Sequence, residues 1–209
     1  MTSGEMRERQ SFLRNEFLCV GKYDIPIIRR ECPLDNIELI SYNDTSCNEK
    51  IVNRSKGVHF FIDDYRLNSL YNNYEKTSQK LKQYRFVLTP DYSLYIDLPR
   101  AIQINNVFRN RWCGAYWQSQ GINVIPSISW ADISSFDFCF DGVEQSGIVA
   151  VSTIGCRKKE LKFMRGYDKM LEKLNPTQII CFGKPFEGMD GNIVAIDYIS
   201  SRRVYRNGR

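Results

Sequence analysis

The sequence predicts an α/β fold, with a mostly parallel sheet and alternating helices. Short, nearly continuous apolar runs are typical of strands buried on both faces, and here they alternate with three longer segments whose apolar residues recur at helical spacing. This alternation indicates right-handed strand–helix–strand units. Because three helices are too few for a complete eightfold barrel, we expect a partial or reduced barrel-like sheet; an open three-layer sheet is the alternative.

The elements follow from local patterns. Three amphipathic helices are predicted over residues 68–83, 100–120 and 159–174. Pro99 and Gly121 mark the start and the end of the second of these helices. Strands are predicted over residues 57–63, 86–89, 123–129, 136–140, 148–152, 178–182 and 192–198. A short helix is expected within 7–17, and the polar stretch 44–56 indicates a loop.

Three segments are predicted: an irregular N-terminal segment packed on the core (1–56), the α/β domain (57–198) and a basic C-terminal tail (199–209). The formal net charge is +5, and four arginines of the last eight residues supply most of it. Such a tail can contact phosphates or an acidic partner, although a solvated terminus is more common. No apolar run approaches the roughly 20 residues that span a bilayer, so we expect a cytoplasmic protein without a membrane partner.

Polar residues follow the predicted strands, where parallel α/β folds bind their ligands. The candidate catalytic residues are four carboxylates: Asp63, Asp64, Asp91 and Asp141. The candidate ligand-binding residues are Ser93, Trp130, Ser152, Thr153 and Lys184. Because strand ends meet at one edge of a parallel sheet, we expect at least three of five residues, the four carboxylates and Trp130, to line a single pocket.

The carboxylates also have a structural interpretation. An aspartate after a strand is commonly a helix N-cap or a turn former, and Asp141-Gly142 is a common turn dipeptide. The adjacent Asp63 and Asp64 are harder to explain in this way, because neighbouring carboxylates repel and only one can comfortably cap a helix. Such a pair suits a cation or a hydroxyl-rich ligand, or acid–base chemistry.

The other candidates also have alternatives. Trp130 suits stacking on a base, although packing is the commoner role of tryptophan. Ser152 and Thr153, followed by Gly155, suit a phosphate cradle before the third helix, but GxxxxGK[ST] and GxGxxG spacings are absent. His59 stands in the middle of an apolar strand, which favours a buried histidine over a catalytic one.

Several familiar chemistries lack their motifs. The sequence has no GxSxG, no HExxH and no CxxC pair among its seven cysteines. A serine triad, a zincin site and a structural zinc site are therefore not expected, and no metal ligand is predicted. The scattered, odd-numbered cysteines indicate reduced thiols. Zinc-finger, RNP-type and basic-helix patterns of nucleic-acid-binding folds are also absent.

Four segments resemble, in order, a family called domain of unknown function 4417: FIDDYRLNSLY, then FVLTPDYSLYIDLPRAIQINNVFRNRWCGAYWQSQGINVIPSISWAD, then FDFCFDGVEQSGIVAVSTIG, then PTQIICFGKP. The resemblance covers about residues 57–184, well over half of the chain. It implies a phage or mobile-element context and a location in the cytoplasm of a bacterial host cell. It implies no activity, substrate or catalytic residue.

Two classes of function remain. The first is a protein that binds or processes a nucleotide or nucleic-acid component, with Asp63 or Asp64 and Asp91 on a metal or on ribose hydroxyls, or acting as general base. The second is a non-catalytic interaction protein that binds a host factor or sequesters a small signalling molecule. The expected partners are thus a nucleotide, a nucleic acid or a host protein, and the sequence indicates no particular cofactor.

Overall fold

Short parallel strands form the centre of the computed structural model, which describes residues 2–9 and 13–198. In chain order the strands are β1 (Cys19–Val20), β2 (Ile25–Pro26), β3 (Leu39–Ser41), β4 (Gly57–His59), β5 (Phe86–Leu88), β6 (Val124–Ile125), β7 (Ile148–Ser152), β8 (Gln178–Phe182) and β9 (Ile193–Ile196). β1 and β2 form an antiparallel pair. The others form two parallel sheets, β3-β4-β5-β6 and β7-β8-β9. The predicted α/β fold with a mostly parallel sheet is confirmed.

The two sheets face each other across an apolar layer. Phe86 of the first sheet and Ile180 of the second belong to the same buried cluster. The ring centroids of His59, at the end of β4, and Phe182, at the end of β8, lie 4.6 Å apart. A parallel bridge between Ser127 and Ala150 joins the sheets beyond β6. The strands thus curve as in part of a barrel, and no barrel closes among the described residues, because β3 and β9 do not pair.

Four helices cover the outer faces of the two sheets: α3 (Asp64–Asn72), α4 (Tyr74–Leu81), α5 (Arg100–Ser119) and α6 (Glu160–Leu174). Two shorter helices, α1 (Ser3–Arg7) and α2 (Ile51–Arg54), bury no residue. Leu67 of α3, Leu81 of α4 and Trp112 of α5 pack with the first sheet in one buried cluster. Met170 of α6 belongs to a second cluster, on the outer face of β7 and β8. β4, β5, β7 and β8 are therefore buried on both faces along nearly their whole length, as their continuous apolar runs predict.

Three sequence predictions need correction. The strand expected over 136–140 is wrong: Ile133–Asp137 is a 3₁₀ helix, and the carboxylate of Asp132 caps it by accepting the N–H of Ser134 at 3.0 Å. The helix expected over 68–83 is two helices, α3 and α4, because Asn73 leaves the helical conformation with φ −113° and ψ 43°. The segment 44–56 is not only loop, since it contains α2.

The N-terminal part of the chain contributes more to the sheet than its sequence pattern indicates. β3 pairs with β4 in parallel, with Ser41 opposite His59. The predicted boundary between the N-terminal segment (1–56) and the α/β domain (57–198) stays a prediction. β3 lies on the N-terminal side of this boundary. Of the helix expected within 7–17, residues 10–12 lie outside the described ranges, and so does the arginine-rich tail.

Candidate functional site

A two-lobed groove lies at the carboxyl ends of the parallel strands. One lobe, of about 680 Å³, is lined by Lys159 and Lys162; we call it the lysine lobe. The other, of about 890 Å³, is lined by Asp63 and Asp64; we call it the carboxylate lobe. Five residues line both lobes: Asp91, Ser93, Tyr95, Ser152 and Ile154. The two lobes are thus neighbouring parts of one groove, and each is large enough for a small ligand.

The lysine lobe combines an aromatic wall with cationic side chains. Trp130, which follows β6, lies beside Phe163 of α6 with ring centroids 5.0 Å apart. It packs so closely on α6 that a Cβ on Gly166 would lie 2.1 Å from the indole Nε1. Lys159 and Lys162 stand at the start of α6 and are exposed. The aromatic wall can therefore bind a flat, partly apolar group, and the two lysines can bind an anionic group.

The carboxylate lobe is organised by a hydrogen bond between two loops. Asp64 lies in the first turn of α3, and its carboxylate accepts the hydroxyl of Ser93 at 2.8 Å and the N–H of Ser93 at 3.2 Å. Asp63 caps no N–H with its side chain and lies 3.9 Å from the guanidinium of Arg66 at the exposed edge of the lobe. Asp64 thus ties the loop after β4 to the loop after β5, and Asp63 faces solvent and the groove.

Asp91, where the lobes meet, is the carboxyl with the largest change in proton affinity. Burial, together with the negative charge of Asp64, raises its pKa to about 7. This value includes the opposing effects of a hydrogen bond with Ser129 and of the charge of Arg111, which lower the pKa. Near neutral pH both protonation states of Asp91 are populated, so its carboxyl can donate or accept a proton at the centre of the groove.

The loop that carries Asp91 is held by polar side chains on the buried face of α5. Asn110 donates to the carbonyl of Pro90 at 2.8 Å, and Asn106 donates to the carbonyl of Ser93 at 2.9 Å. Gln103 donates to the carbonyls of Tyr95 and Leu98 at 3.1 and 2.9 Å. Sequence reasoning missed these residues because it followed only the apolar stripe of this helix; three buried amides at i, i+3 and i+7 are the signal that could have found them.

Arg111, on the buried face of α5, holds the backbone of the segment between β6 and β7. It is fully buried and donates to three backbone carbonyls, those of Asp141 at 3.0 Å, Ser127 at 3.2 Å and Cys139 at 2.8 Å. Burial lowers its pKa to about 10, so the side chain stays charged at neutral pH. The three carbonyls belong to the segment between β6 and β7 that contains Trp130, so the hydrogen bonds of Arg111 connect this segment to α5. The positive charge of Arg111 also interacts with Asp91.

Six of the nine candidate residues line the groove, and three do not. Asp63, Asp64 and Asp91 line the carboxylate lobe together, so three of the four candidate carboxylates share one pocket, and Asp44 lines it too. Ser93, Ser152 and Trp130 are the other three candidates that line the groove. Thr153 is buried, and its hydroxyl donates to the carbonyl of Lys184 at 2.9 Å. The side chain of Lys184 is exposed outside both lobes.

Asp141 also lies away from the groove, beside the backbone of Gly21. It was a candidate because a strand was expected just before it, and that strand is a 3₁₀ helix followed by turns. Burial raises the pKa of Asp141, and the charge of Arg111 lowers it. Its backbone carbonyl, rather than its carboxylate, accepts the hydrogen bond from Arg111.

His59 is buried, as its place in an apolar strand predicts, and it also lines the carboxylate lobe. Among the residues that the structure describes, no group of three or more His, Cys, Asp or Glu side chains could hold a metal ion. Within the same part of the chain, every helix is too short or too polar to cross a membrane.

Comparison with known proteins identifies the family. A family model described as a domain of unknown function (DUF4417) matches residues 17–199. The chain belongs to this family. It is 37% identical over 177 residues to the Gene 1 protein of Mycobacterium phage L5, across 82% of this chain and 76% of the phage protein.

A second relative is the Gene 1 protein of Mycobacterium phage D29, which is 37% identical over 175 residues. That match covers 82% of this chain but only 64% of the D29 protein, so this chain spans less than two thirds of that relative. No solved structure matches. The expected DUF4417 family and its association with phages are confirmed.

Proposed function

We propose that the groove binds a nucleotide, free or as a unit of a nucleic acid, with its phosphate at the lysine lobe and its base against Trp130. The observation that carries the proposal is the unequal distribution of charge on the two sides of Asp91. Lys159 and Lys162 line one lobe together with Asp97. Three aspartates that do not line the first lobe line the other together with Arg66: Asp44, Asp63 and Asp64. A ligand that spans both must have an anionic end and an end that donates hydrogen bonds, which is the chemistry of a nucleotide.

The lysine lobe supports phosphate binding in two ways. Lys159 and Lys162 line it from the start of α6, and Gly155 lines it with a positive φ of 79°, which lets the loop backbone come close to a ligand. Trp130 stands across the lobe with its ring held by Phe163 and Gly166. A ring that is held before binding loses little conformational entropy when a base stacks on it.

Asp91 gives the groove a group that can take part in acid–base chemistry. It lies where the ligand would pass from one lobe to the other. A carboxyl with a pKa of about 7 can accept a proton from a ligand hydroxyl or return it near neutral pH. Asp91 is therefore the residue that we assign to any proton transfer in processing of the nucleotide.

Calorimetric titration tests the proposal. The purified chain is titrated with the four ribonucleoside 5′-monophosphates and triphosphates, and with inorganic phosphate for comparison. We expect at least one nucleotide to bind more tightly than phosphate, and Lys162→Gln to weaken that binding roughly tenfold. Lys169→Gln is the matched control, because Lys169 lies on α6, pairs with Glu172 and does not line the groove. Absence of binding by every nucleotide would refute the proposal.

A second candidate, binding of a host protein, is favoured by one observation. Three apolar side chains that line the groove are strongly exposed: Tyr95 (60%), Ile96 (46%) and Ile154 (51%). Exposed apolar clusters of this kind often mark protein contacts. Affinity purification from host lysate with wild type and with Ile154→Ser tests this candidate. A protein retained by wild type and lost from the variant supports it, and identical profiles contradict it.

A further inference from the structure

The buried His59 has no hydrogen-bond partner for either ring nitrogen among the described residues. Its side chain is only 2% exposed, and its ring lies against Phe182 and Phe61, with centroids 4.6 and 5.9 Å away. Buried polar atoms are nearly always paired, since an unpaired one loses its hydration without compensation. An aromatic or aliphatic residue would fit these apolar surroundings better. The imidazole therefore suggests a partner other than the residues that the structure describes.

The position of His59 indicates where that partner would lie. His59 ends β4 opposite Ser41, and both residues line the carboxylate lobe together with Asn43. Burial lowers the pKa of His59 to about 3, so the ring is neutral at physiological pH and has one donor and one acceptor nitrogen. A neutral imidazole beside Asp63 and Asp64 is poorly suited to a phosphate. It suits a neutral group that can both donate and accept.

We propose that the carboxylate lobe binds the ribose hydroxyls of the ligand, with His59 as a hydrogen-bond partner at its base, so that the groove selects ribonucleotides over 2′-deoxyribonucleotides. This inference rests on the proposed function and specifies the substrate class. Hydroxyls donate to carboxylates and exchange hydrogen bonds with imidazole, serine and asparagine, all of which line this lobe. A deoxyribose leaves one of these groups unpaired, which is how a buried polar site discriminates.

The inference is tested by comparing each ribonucleoside 5′-monophosphate with its 2′-deoxy counterpart by calorimetry. Wild type should bind the ribonucleotide at least fivefold more tightly. His59→Phe keeps the aromatic packing and removes both nitrogens, so it should bring the ratio close to one. Because the variant no longer buries an unpaired polar ring, its melting temperature should not fall.

Trp117→Phe is the matched control. The indole N–H of Trp117 is also buried, with no partner in the described part of the chain, and its ring stacks on Phe60, but it does not line the groove. This substitution should leave the ribose-to-deoxyribose ratio unchanged. If His59→Phe does not fold, His59→Leu, which also removes both nitrogens, provides the second variant and should likewise bring the ratio close to one. The wild-type ratio is informative in either case.

The outcomes separate the two proposals. Equal binding of ribo- and deoxyribonucleotides by wild type would refute the ribose site and leave nucleotide binding intact. A ribose preference that His59→Phe retains would refute the role of His59. No binding of any nucleotide would refute the proposed function itself. Inosine and adenosine monophosphates are compared as well: a large difference between them, with no effect of the 2′-hydroxyl, would assign the lobe to a base amine instead.

Discussion

The two long helices, α5 and α6, differ in what they bury. α6 turns a regular apolar face to the second sheet, with Phe163, Tyr167, Met170 and Leu174 at intervals of three and four residues. α5 buries large aromatic side chains too, but it also buries five polar ones: Gln103, Asn106, Asn110, Arg111 and Gln118. Burying polar side chains costs stability unless they are hydrogen-bonded, and on α5 all five bond to backbone carbonyls.

The difference shows how one helix supports the fold while the other also positions the groove. The loop over residues 90–98, between β5 and α5, has almost no regular structure of its own. Its carbonyls are instead held by the amides of α5, and it carries Asp91, Ser93 and Tyr95 into the groove. We expect substitutions of buried α6 residues that lie outside the groove, such as Met170, to change stability alone, and substitutions on the polar face of α5 to change ligand binding as well.

The largest effect is expected for Arg111→Met. The substitution leaves the carbonyls of Cys139 and Asp141 and the side-chain oxygen of Asn110 without this donor, whereas the carbonyl of Ser127 keeps a hydrogen bond from Asn110. Each unpaired buried acceptor costs about 1–3 kcal/mol, and removal of the buried charge offsets part of this, so we expect a loss of about 4 kcal/mol in the free energy of unfolding. Urea denaturation measures it.

Arg165→Met on α6 is the matched control for Arg111→Met. Arg165 is exposed, so the same change of side chain should alter the free energy of unfolding by no more than about 0.5 kcal/mol. A similar effect of the two substitutions would show that the hydrogen bonds of Arg111 contribute little. It would then be wrong to assign the position of the Trp130 loop to this residue.

Met170→Ala and Asn106→Ala compare the two helices directly. Met170 is completely buried on α6, so its truncation should cost about 3 kcal/mol through lost burial and a cavity. Asn106→Ala removes one hydrogen bond to Ser93 and should cost about 1 kcal/mol. In calorimetric titrations with nucleotide the order should reverse: Asn106→Ala weakens binding severalfold, whereas Met170→Ala changes it less than twofold. Losses of affinity proportional to losses of stability would contradict the comparison.

The two helices also show what the sequence could predict. Apolar periodicity locates α6 and the strands 148–152 and 178–182, because these elements bury nearly everything they contain. It missed β3, which has only three residues, and it misplaced a strand at 136–140, where alternating phenylalanines imitate a strand while Asp132 caps a 3₁₀ turn.

The candidate site was predictable wherever a strand was correctly located. Asp63, Asp64, Asp91 and Trp130 follow strands β4, β5 and β6, and all four line the groove. The amides of α5 were not predictable from periodicity, because their partners are carbonyls of a loop whose path depends on the tertiary structure. The unpaired nitrogens of His59 depend on tertiary structure in the same way, since the sheets must curve before Phe182 meets this ring.

Asp91→Asn tests the electrostatics of the loop that α5 holds. Because the pKa of Asp91 in the folded chain is raised to about 7, the folded state keeps a proton that the unfolded state releases above about pH 4. The contribution of this carboxyl to stability is therefore lost as the pH rises toward and through 7. The full difference between a pKa near 4 and one near 7 amounts to about 4 kcal/mol, and solvent in the groove screens about half of it, because Asp91 is partly exposed. Asparagine cannot ionise, so the variant should be more stable than wild type by about 2 kcal/mol at pH 8 and nearly equal to it at pH 4.

Urea denaturation of wild type and Asp91→Asn at the two pH values measures this difference. Glu144→Gln is the control for loss of one carboxylate, because Glu144 is exposed and lies outside the groove. A variant that is less stable than wild type at pH 8 would mean that ionised Asp91 is favoured by the fold. The charge of Arg111 would then lower the pKa of Asp91 by more than burial and Asp64 together raise it.

The smallest effect is expected for Asp141→Asn. This variant compares a candidate carboxylate outside the groove with one inside it, Asp64. Asp141 lies beside Gly21, outside both lobes, and Arg111 donates a hydrogen bond to its backbone carbonyl rather than to its carboxylate. Asparagine keeps that carbonyl and nearly the same shape, so nucleotide affinity should change less than twofold in calorimetric titrations and stability by about 0.5 kcal/mol or less. Asp64→Asn, in contrast, weakens the acceptor of two hydrogen bonds from Ser93 inside the carboxylate lobe and should reduce affinity severalfold. If Asp141→Asn reduced affinity as much as Asp64→Asn, the ligand would have to contact a surface beyond the groove, and the carboxyl edge of the sheet would not be the whole site.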